Sequence, residues 1–216
     1  GVSTRMIGGL IMTHGDNSGL VLPPRIAPIQ VVIIPVAQHK EGVLEANRAV
    51  MDRLVQAGFR VKMDDSDQSA GWKFAEYEMK GIPLRLELGP KDIEKNQCVL
   101  VRRDSGEKNF VSLDGIEDTV AAMLDAIHDG LYQRARKNLE DNTYACSSLE
   151  EVKEKMQERG GFAKTMWCGD EACELRMKEE AGVTSRCIPF AQEHLGDVCP
   201  VCGKPAKHMI YWGVAY

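Results

Sequence analysis

Four cysteines in two close pairs constrain the last third of the chain more than any other feature. Cys168 and Cys173 are separated by four residues, a gap of 25 residues follows, and Cys199-Pro200-Val201-Cys202-Gly203 completes the set. Zinc takes four thiolates tetrahedrally, and each close pair lets one turn supply two ligands. Gly203 permits the tight turn whose amides can face the sulfurs. Four sulfurs close the coordination shell, so the spacing points to a structural metal with no catalytic position. The competing reading is four reduced thiols serving as small core residues, and the second pair, in the form C-x2-C-G, favours the metal. His194 and His208 fit neither pair, while Cys98, Cys146 and Cys187 read as plain thiols.

Seven cysteines is an odd number, and in a cytosolic chain this pattern favours metal over disulfides. No run of about 18 apolar residues predicts a transmembrane helix, and the first residues lack a signal-peptide pattern. The expected compartment is therefore the cytoplasm. The 216 residues, 44% hydrophobic and 27% charged, suit one or two ordinary globular domains. A net charge of −5 argues against holding nucleic acid by bulk electrostatics, but leaves room for a local basic surface. The opening Gly-Val-Ser-Thr-Arg runs straight into apolar sequence and reads as part of something larger.

Ahead of the cysteines the hydrophobic pattern alternates between strand and helix. Residues 1–27 hold an apolar run from Met6 to Met12, a turn-rich stretch from His14 to Gly19, and Pro23-Pro24; a short helix or strand followed by a loop is expected. Gln30–Pro35 is β-branched and bounded by proline, as a strand buried on both faces should be. Helical stripes follow at Glu41–Ala57, Trp72–Met79 and from Ile116 to Leu131. Strands are expected at Phe59–Met63, Leu84–Gly89, Cys98–Arg102 and Asn109–Leu113. The order βαβαββα implies an α/β fold with a mixed sheet and helices packed on it. Residues 141–148 are polar and linking, and Leu149, Val152 and Met156 mark one more helix before Gly160-Gly161.

Several of these segments resemble one family. Gly1-Val2-Ser3-Thr4-Arg5 with Ile7-Gly8 is similar to motif 3 of class II aminoacyl-tRNA synthetases. Its extension His14-Gly15-Asp16-Asn17-Ser18-Gly19-Leu20-Val21-Leu22-Pro23-Pro24 looks like the form found in prolyl-tRNA synthetases. Gly71-Trp72-Lys73-Phe74, Glu78–Pro83 and Leu86–Asp92 resemble that family's anticodon-binding domain. The cysteine spacing, Cys187-Ile188-Pro189-Phe190 and a terminal Tyr216 resemble the C-terminal zinc domain of its archaeal/eukaryotic-type members.

The resemblance implies residues 1–27 as the end of a catalytic domain, 28–140 as a mixed-sheet anticodon-binding domain, and 141–216 as a small α+β zinc-binding domain. It implies a ligase that joins proline to tRNA(Pro) through prolyl-adenylate, using ATP and Mg²⁺. Motifs 1 and 2 would lie upstream of Gly1, so this chain alone is expected to form no adenylate. Arg5, with Ser3 and Thr4 beside it, would contact ATP, since a guanidinium stacks on adenine and neutralises phosphate. Glu78, Arg85 and Lys91, with Lys73, Lys80 and Lys108 behind them, would contact the anticodon. Arg and Lys donate to guanine O6 and N7, and a carboxylate accepts from the guanine Watson–Crick edge. Trp72, Phe74 and Tyr77 are candidate flat surfaces for bases, although Trp72 and Phe74 read first as core residues. Tyr216 would fold back towards the active site. The parent would be a homodimer through its catalytic domain, and this piece a monomer. Two other readings stay open: a non-catalytic RNA-binding or regulatory module on the same fold, and a zinc-stabilised interaction domain with no RNA role, which the acidic pI of 5.6 suits.

Overall fold

The structure, a computed structural model, describes residues 1–215. It divides into two compact units, Gly1–Ala135 and the residues from Arg136 onward. The first unit opens with α1 (Arg5–His14), then β1 (Val31–Pro35), α2 (Val43–Gln56), β2 (Val61–Met63), α3 (Ala70–Met79), β3 (Leu84–Leu88), α4 (Pro90–Glu94), β4 (Gln97–Arg102) and β5 (Lys108–Ser112). The long helix α5 (Ile116–Asp141) carries the boundary between the units within its last turns.

The five strands form one mixed sheet in the order β2-β1-β3-β4-β5. β1 pairs in parallel with both β2 and β3, and the β3–β4 and β4–β5 pairs are antiparallel. Because β2 and β3 lie on opposite sides of β1, the two crossover helices pack on opposite faces of the sheet. On one face, Val43, Val50 and Leu54 of α2 and Ile116, Val120, Leu124, Ile127 and Leu131 of α5 repeat at helical intervals. All of these but Val43 bury the main core against Val31, Ile33, Leu84, Leu86, Leu88, Cys98 and Leu100. On the other face α3 packs on β1, where Tyr77 and Phe74 meet Val32, Ile34 and Ile82, and Phe74 reaches Arg85 of β3. The part of that face over β3, β4 and β5 carries no helix in the main or satellite core.

The expected strands and helices of this unit are present with ends moved by a few residues, and α5 continues to Asp141, well beyond its last core position at Leu131. The apolar run near the start is helical. α1 buries none of its residues; Met6, Ile7 and Met12 are exposed.

Lys73 requires a correction. Its side chain is 2% exposed and its Nζ donates to the carbonyls of Asp64 (2.9 Å) and Ser66 (2.7 Å) and to Gln38 Oε1 (3.3 Å). It also lies 3.6 Å from Asp64 Oδ1. The Asp64 carboxylate in turn accepts from Ser66 and from the Tyr77 hydroxyl at 2.9 Å. Burial works against the Asp64 charge, but these hydrogen bonds and Lys73 outweigh it and hold the carboxyl below its ordinary pKa. Burial first, then Asp64, push the Tyr77 hydroxyl up to about 12. Lys73 is thus a buried tie between the end of β2 and α3, and is withdrawn from the anticodon set. Trp72 is corrected as well: it lies 48% exposed at the start of α3 rather than in the core.

The second unit adds β6 (Thr143–Ala145), α6 (Leu149–Glu158), β7 (Phe162–Trp167), α7 (Glu171–Ala181), β8 (Val183–Cys187) and β9 (His208–Val214). Its sheet order is β6-β7-β9-β8, with β6–β7 parallel and the other pairs antiparallel. Val152, Met156, Met177, Ala163, Val183, Ile210 and Trp212 fill its core. Trp212 Nε1 donates to the buried Thr165 hydroxyl at 2.9 Å, which satisfies both polar atoms inside that core. β6 lies within residues 141–148, where the polar composition suggests a linker.

Removing one partner from a buried pair leaves the other charge uncompensated. Lys73→Ala is expected to lower the unfolding free energy by about 3–5 kcal/mol, measured by urea titration.

Candidate functional site

β3 places two kinds of chemistry on opposite sides of the sheet. Leu84, Leu86 and Leu88 face the main core, while Arg85 and Glu87 face the side over which α3 ends. In register, Arg85 lies beside Val32 and Val101, and Val101 beside Lys108; Glu87 lies beside Val99, and Val99 beside Phe110. Arg85 stacks its guanidinium 4.1 Å from the centroid of the Phe74 ring and donates through Nε to Glu87 Oε1 at 2.9 Å. A pocket of 260 Å³ opens here, lined among others by Tyr77, Glu78, Arg85, Arg102, Arg103 and Lys108.

The charges around it are unequal in what they can offer. Arg103 is consumed: its Nε donates to the Glu78 carbonyl at 2.8 Å, and its two terminal nitrogens grip Asp16 at 2.6 and 2.7 Å. Arg102 is held bidentately by Asp104. By contrast, among the described residues the Glu78 carboxylate and the Lys108 ammonium have no hydrogen-bond or ion-pair partner. The pocket therefore presents an exposed acceptor and an exposed donor together with a fixed Arg85.

Arg103 also anchors residues 16–22 to this unit. The Leu20 amide donates to the Met79 carbonyl and the Leu22 amide to the Gly81 carbonyl, at 2.9 and 3.1 Å. The approach is so close that a Cβ on Gly81, whose φ is +70°, would lie 2.5 Å from the Leu20 backbone. The hydrogen bond from Arg103 is the largest of the influences that hold the Asp16 carboxyl down to about 2.

In the second unit the two cysteine pairs converge. Cys168 follows β7, Cys173 lies in the first turn of α7, and Cys199 and Cys202 occupy the turn before β9. All four Sγ atoms lie within 4.8 Å of one another. Cys168 is 3.6 Å from Cys173 and 3.7 Å from Cys202. These separations are far beyond a disulfide. They match the roughly 3.8 Å edge of a tetrahedron built on metal–sulfur bonds of about 2.3 Å. The turn is fixed by Gly203, φ +71°, whose amide donates to the Cys199 carbonyl, and by the Cys199 amide donating to the Lys204 carbonyl. Burial raises the pKa of the Cys168 and Cys173 thiols, and the Lys204 amide lowers that of Cys202 to about 7. Trp167 and Val201 pack against the sulfurs. The cluster can hold one metal ion.

Residues 30–123 match the family described as "Anticodon binding domain", and residues 149–216 match "Prolyl-tRNA synthetase, C-terminal". The chain belongs to the prolyl-tRNA synthetase family. It is 60% identical to "Proline--tRNA ligase 2" of Bacillus thuringiensis subsp. konkukian (strain 97-27) over 216 residues, all of this chain and 45% of that protein. It is 59% identical to "Proline--tRNA ligase" of Clostridium botulinum (strain Okra / Type B1) over 215 residues, again 45% of that protein. The chain thus spans about half the length of the curated relatives it matches.

Against that family pattern, the structure brings Glu78, Arg85 and Lys108 to one pocket and leaves the other expected residues elsewhere. Lys91 is exposed on α4, beyond the end of β3. Lys80 caps α3 and pairs with Glu76 at 2.6 Å. Ser3, Thr4 and Arg5 are exposed at the head of α1. Tyr216 lies outside the described residues. Sequence reasoning missed Arg103, whose only signal was its place in the Arg102-Arg103-Asp104 run before Gly106. It also missed Lys62, whose Nζ lies 5.4 Å from the centroid of the Tyr77 ring.

An Asp whose pKa is depressed stabilises the docked state above its ordinary value, and the contribution is lost as pH falls through the depressed one. The Asp16 contact is therefore complete above about pH 4 and lost towards about pH 2. Asp16→Asn is expected to speed hydrogen exchange at the Leu20 and Leu22 amides at about pH 5 and above, with the difference from the parent vanishing near about pH 2.

Proposed function

We propose that this chain is the RNA-reading part of a cytoplasmic proline–tRNA ligase, and that the Glu78–Arg85–Lys108 pocket reads the guanines of the proline anticodon. The observation that carries this reading is the pocket itself: a carboxylate and an ammonium without partners among the described residues share it with a stacked arginine, inside residues that match an anticodon-binding domain. Guanine offers N1–H and N2–H₂ donors on one edge and O6 and N7 acceptors on the other. Glu78 is suited to accept from the first, and Lys108 and Arg85 to donate to the second. Lys91 and Lys80, exposed beyond the pocket, serve the flanking phosphates.

The whole protein's reaction on this reading joins proline to tRNA(Pro) with ATP and Mg²⁺ through prolyl-adenylate. Residues 1–27 belong with its catalytic domain, where Ser3, Thr4 and Arg5 face ATP and a dimer forms. Residues 28–140 read the anticodon, and residues 141–216 form the zinc domain. Zinc suits the four cysteines because the set is all sulfur, of tetrahedral size, and mostly shielded from water. Bound there, it fixes the turns that present Cys168 and Cys173 to Cys199 and Cys202, with no open position for a substrate.

Titration of the chain with an anticodon stem–loop of tRNA(Pro), at low salt, tests the RNA reading. Binding should weaken when either guanine is replaced by adenine, and Glu78→Gln should erase most of that discrimination, worth about 1–3 kcal/mol per base. Binding indifferent to both guanines would mark a general RNA module, and no binding would leave an interaction domain. Elemental analysis should find about one zinc per chain. Cys199→Ser should abolish it and destabilise the second unit.

A further inference from the structure

Phe110 is the most exposed aromatic residue of the first unit, 70% accessible in the middle of β5. The strand alternates cleanly: Asn109 and Val111 turn towards the main core, where Val111 packs, while Lys108, Phe110 and Ser112 face outward. β5 is the edge of the sheet, and a bulky apolar side chain standing open on an edge strand is a liability that proteins ordinarily remove. A single exposed apolar residue is common and by itself needs no explanation. Here the surroundings supply one. Phe110 stands beside the buried Val99 in register, and Val99 stands beside Glu87, the residue that holds Arg85. Lys108, with no partner among the described residues, lies two positions along the same strand and on the same face, about 7 Å away. The open aromatic ring, the unpartnered cation and the pocket thus form one continuous face.

We propose that Phe110 is a stacking platform for an unpaired base of the anticodon loop, next in the strand to a base held in the Glu78–Arg85–Lys108 pocket. This rests on the anticodon reading above. A splayed single strand needs flat surfaces for bases that are not paired, and an aromatic ring accepts any base because every base has a π-face. Trp72 is exposed in the first turn of α3 but does not line the pocket, and the two aromatic residues nearest Arg85 are already committed. Phe74 carries the Arg85 guanidinium, and Tyr77 is buried with its hydroxyl on Asp64. Lys108 beside the ring supplies the charge that a phosphate between the two nucleotides requires. Phe110 therefore contributes affinity without sequence preference, whereas Glu78 contributes preference.

The test is binding of the full chain to the tRNA(Pro) anticodon stem–loop, with 2-aminopurine placed in turn at each unpaired loop position. F110A is expected to weaken binding roughly tenfold, and by the same factor whichever natural base occupies the stacked position. F110W should restore affinity, and one 2-aminopurine position should lose its quenching in F110A alone. Because the ring is exposed, F110A should keep the parent's urea midpoint, which separates loss of stacking from loss of fold. If the parent discriminates guanine while F110A binds equally tightly, the stacking platform is overturned and the pocket reading stands. If F110A instead dissolves a dimer of this chain and leaves RNA affinity unchanged, the face is an edge-to-edge contact between copies and the proposal is overturned. If the parent binds no RNA, both readings fall.

Discussion

Arg85 and Leu86 are neighbours in the chain, yet one belongs to a site and the other to the core. The two-residue period of β3 imposes this, and most of the first unit follows from it. Leu84, Leu86 and Leu88 are fully buried beneath α2 and α5, so the strand cannot slip by a single residue without turning three leucines to water and Arg85 and Glu87 inward. Parallel pairing with β1 and antiparallel pairing with β4 fix the strand on both sides. Burial of the leucines is therefore what aims the arginine. The side chain is then locked by Phe74 below and Glu87 beside it, both on well-packed elements, which spares a ligand the entropy of ordering a long flexible cation.

How far this is legible in the sequence depends on whether a residue's role is set locally. The alternation Leu-Arg-Leu-Glu-Leu announces a strand with two faces, and the β-branched run from Val31 announces a buried one. The helical stripe from Ile116 to Leu131 coincides with the buried face of α5. Lys73 is illegible because nothing in the local sequence shows that Asp64, Ser66 and Gln38 converge on it; a lysine in a helix is ordinarily solvated. Trp72 misleads for the converse reason, since it sits at the first turn of α3, outside the stripe that Lys73 and Tyr77 occupy. Arg103 owes its role to Asp16, 87 positions away, a pairing that only the folded chain creates. Phe110 escapes notice because a phenylalanine in an alternating strand reads as core, and its outward register is decided by the pairing with β4.

In the second unit the legible part is chemical and the illegible part architectural. The cysteine spacing specifies the cluster without specifying what holds its halves together. The structure answers with β7 leading into Cys168, α7 carrying Cys173, and the Cys199–Cys202 turn leading into β9. Since β7 and β9 are adjacent in the sheet, their pairing brings the two halves within reach. Closing a long gap costs chain entropy that the strand pairing has already met, so a metal bound there would tighten a preformed site. The strands themselves are hidden because their polar and apolar residues do not alternate cleanly, as in Phe162–Trp167 and His208–Val214.

On the proposed reading, a chain with a net charge of −5 recognises a polyanion by placement of charge rather than by its quantity. On the open face of the first unit the arginines are matched: Arg85 by Glu87 and Arg103 by Asp16. These pairs fix geometry and add little net field. Lys108 stands apart from them, and it lies between the pocket and Phe110. Affinity on such a surface has to come from hydrogen bonds to base edges and from stacking, both of which work at contact distance and are weakly screened by salt. That division of labour lets the same small face be selective, because a phosphate backbone presented without the right bases meets few charges able to hold it.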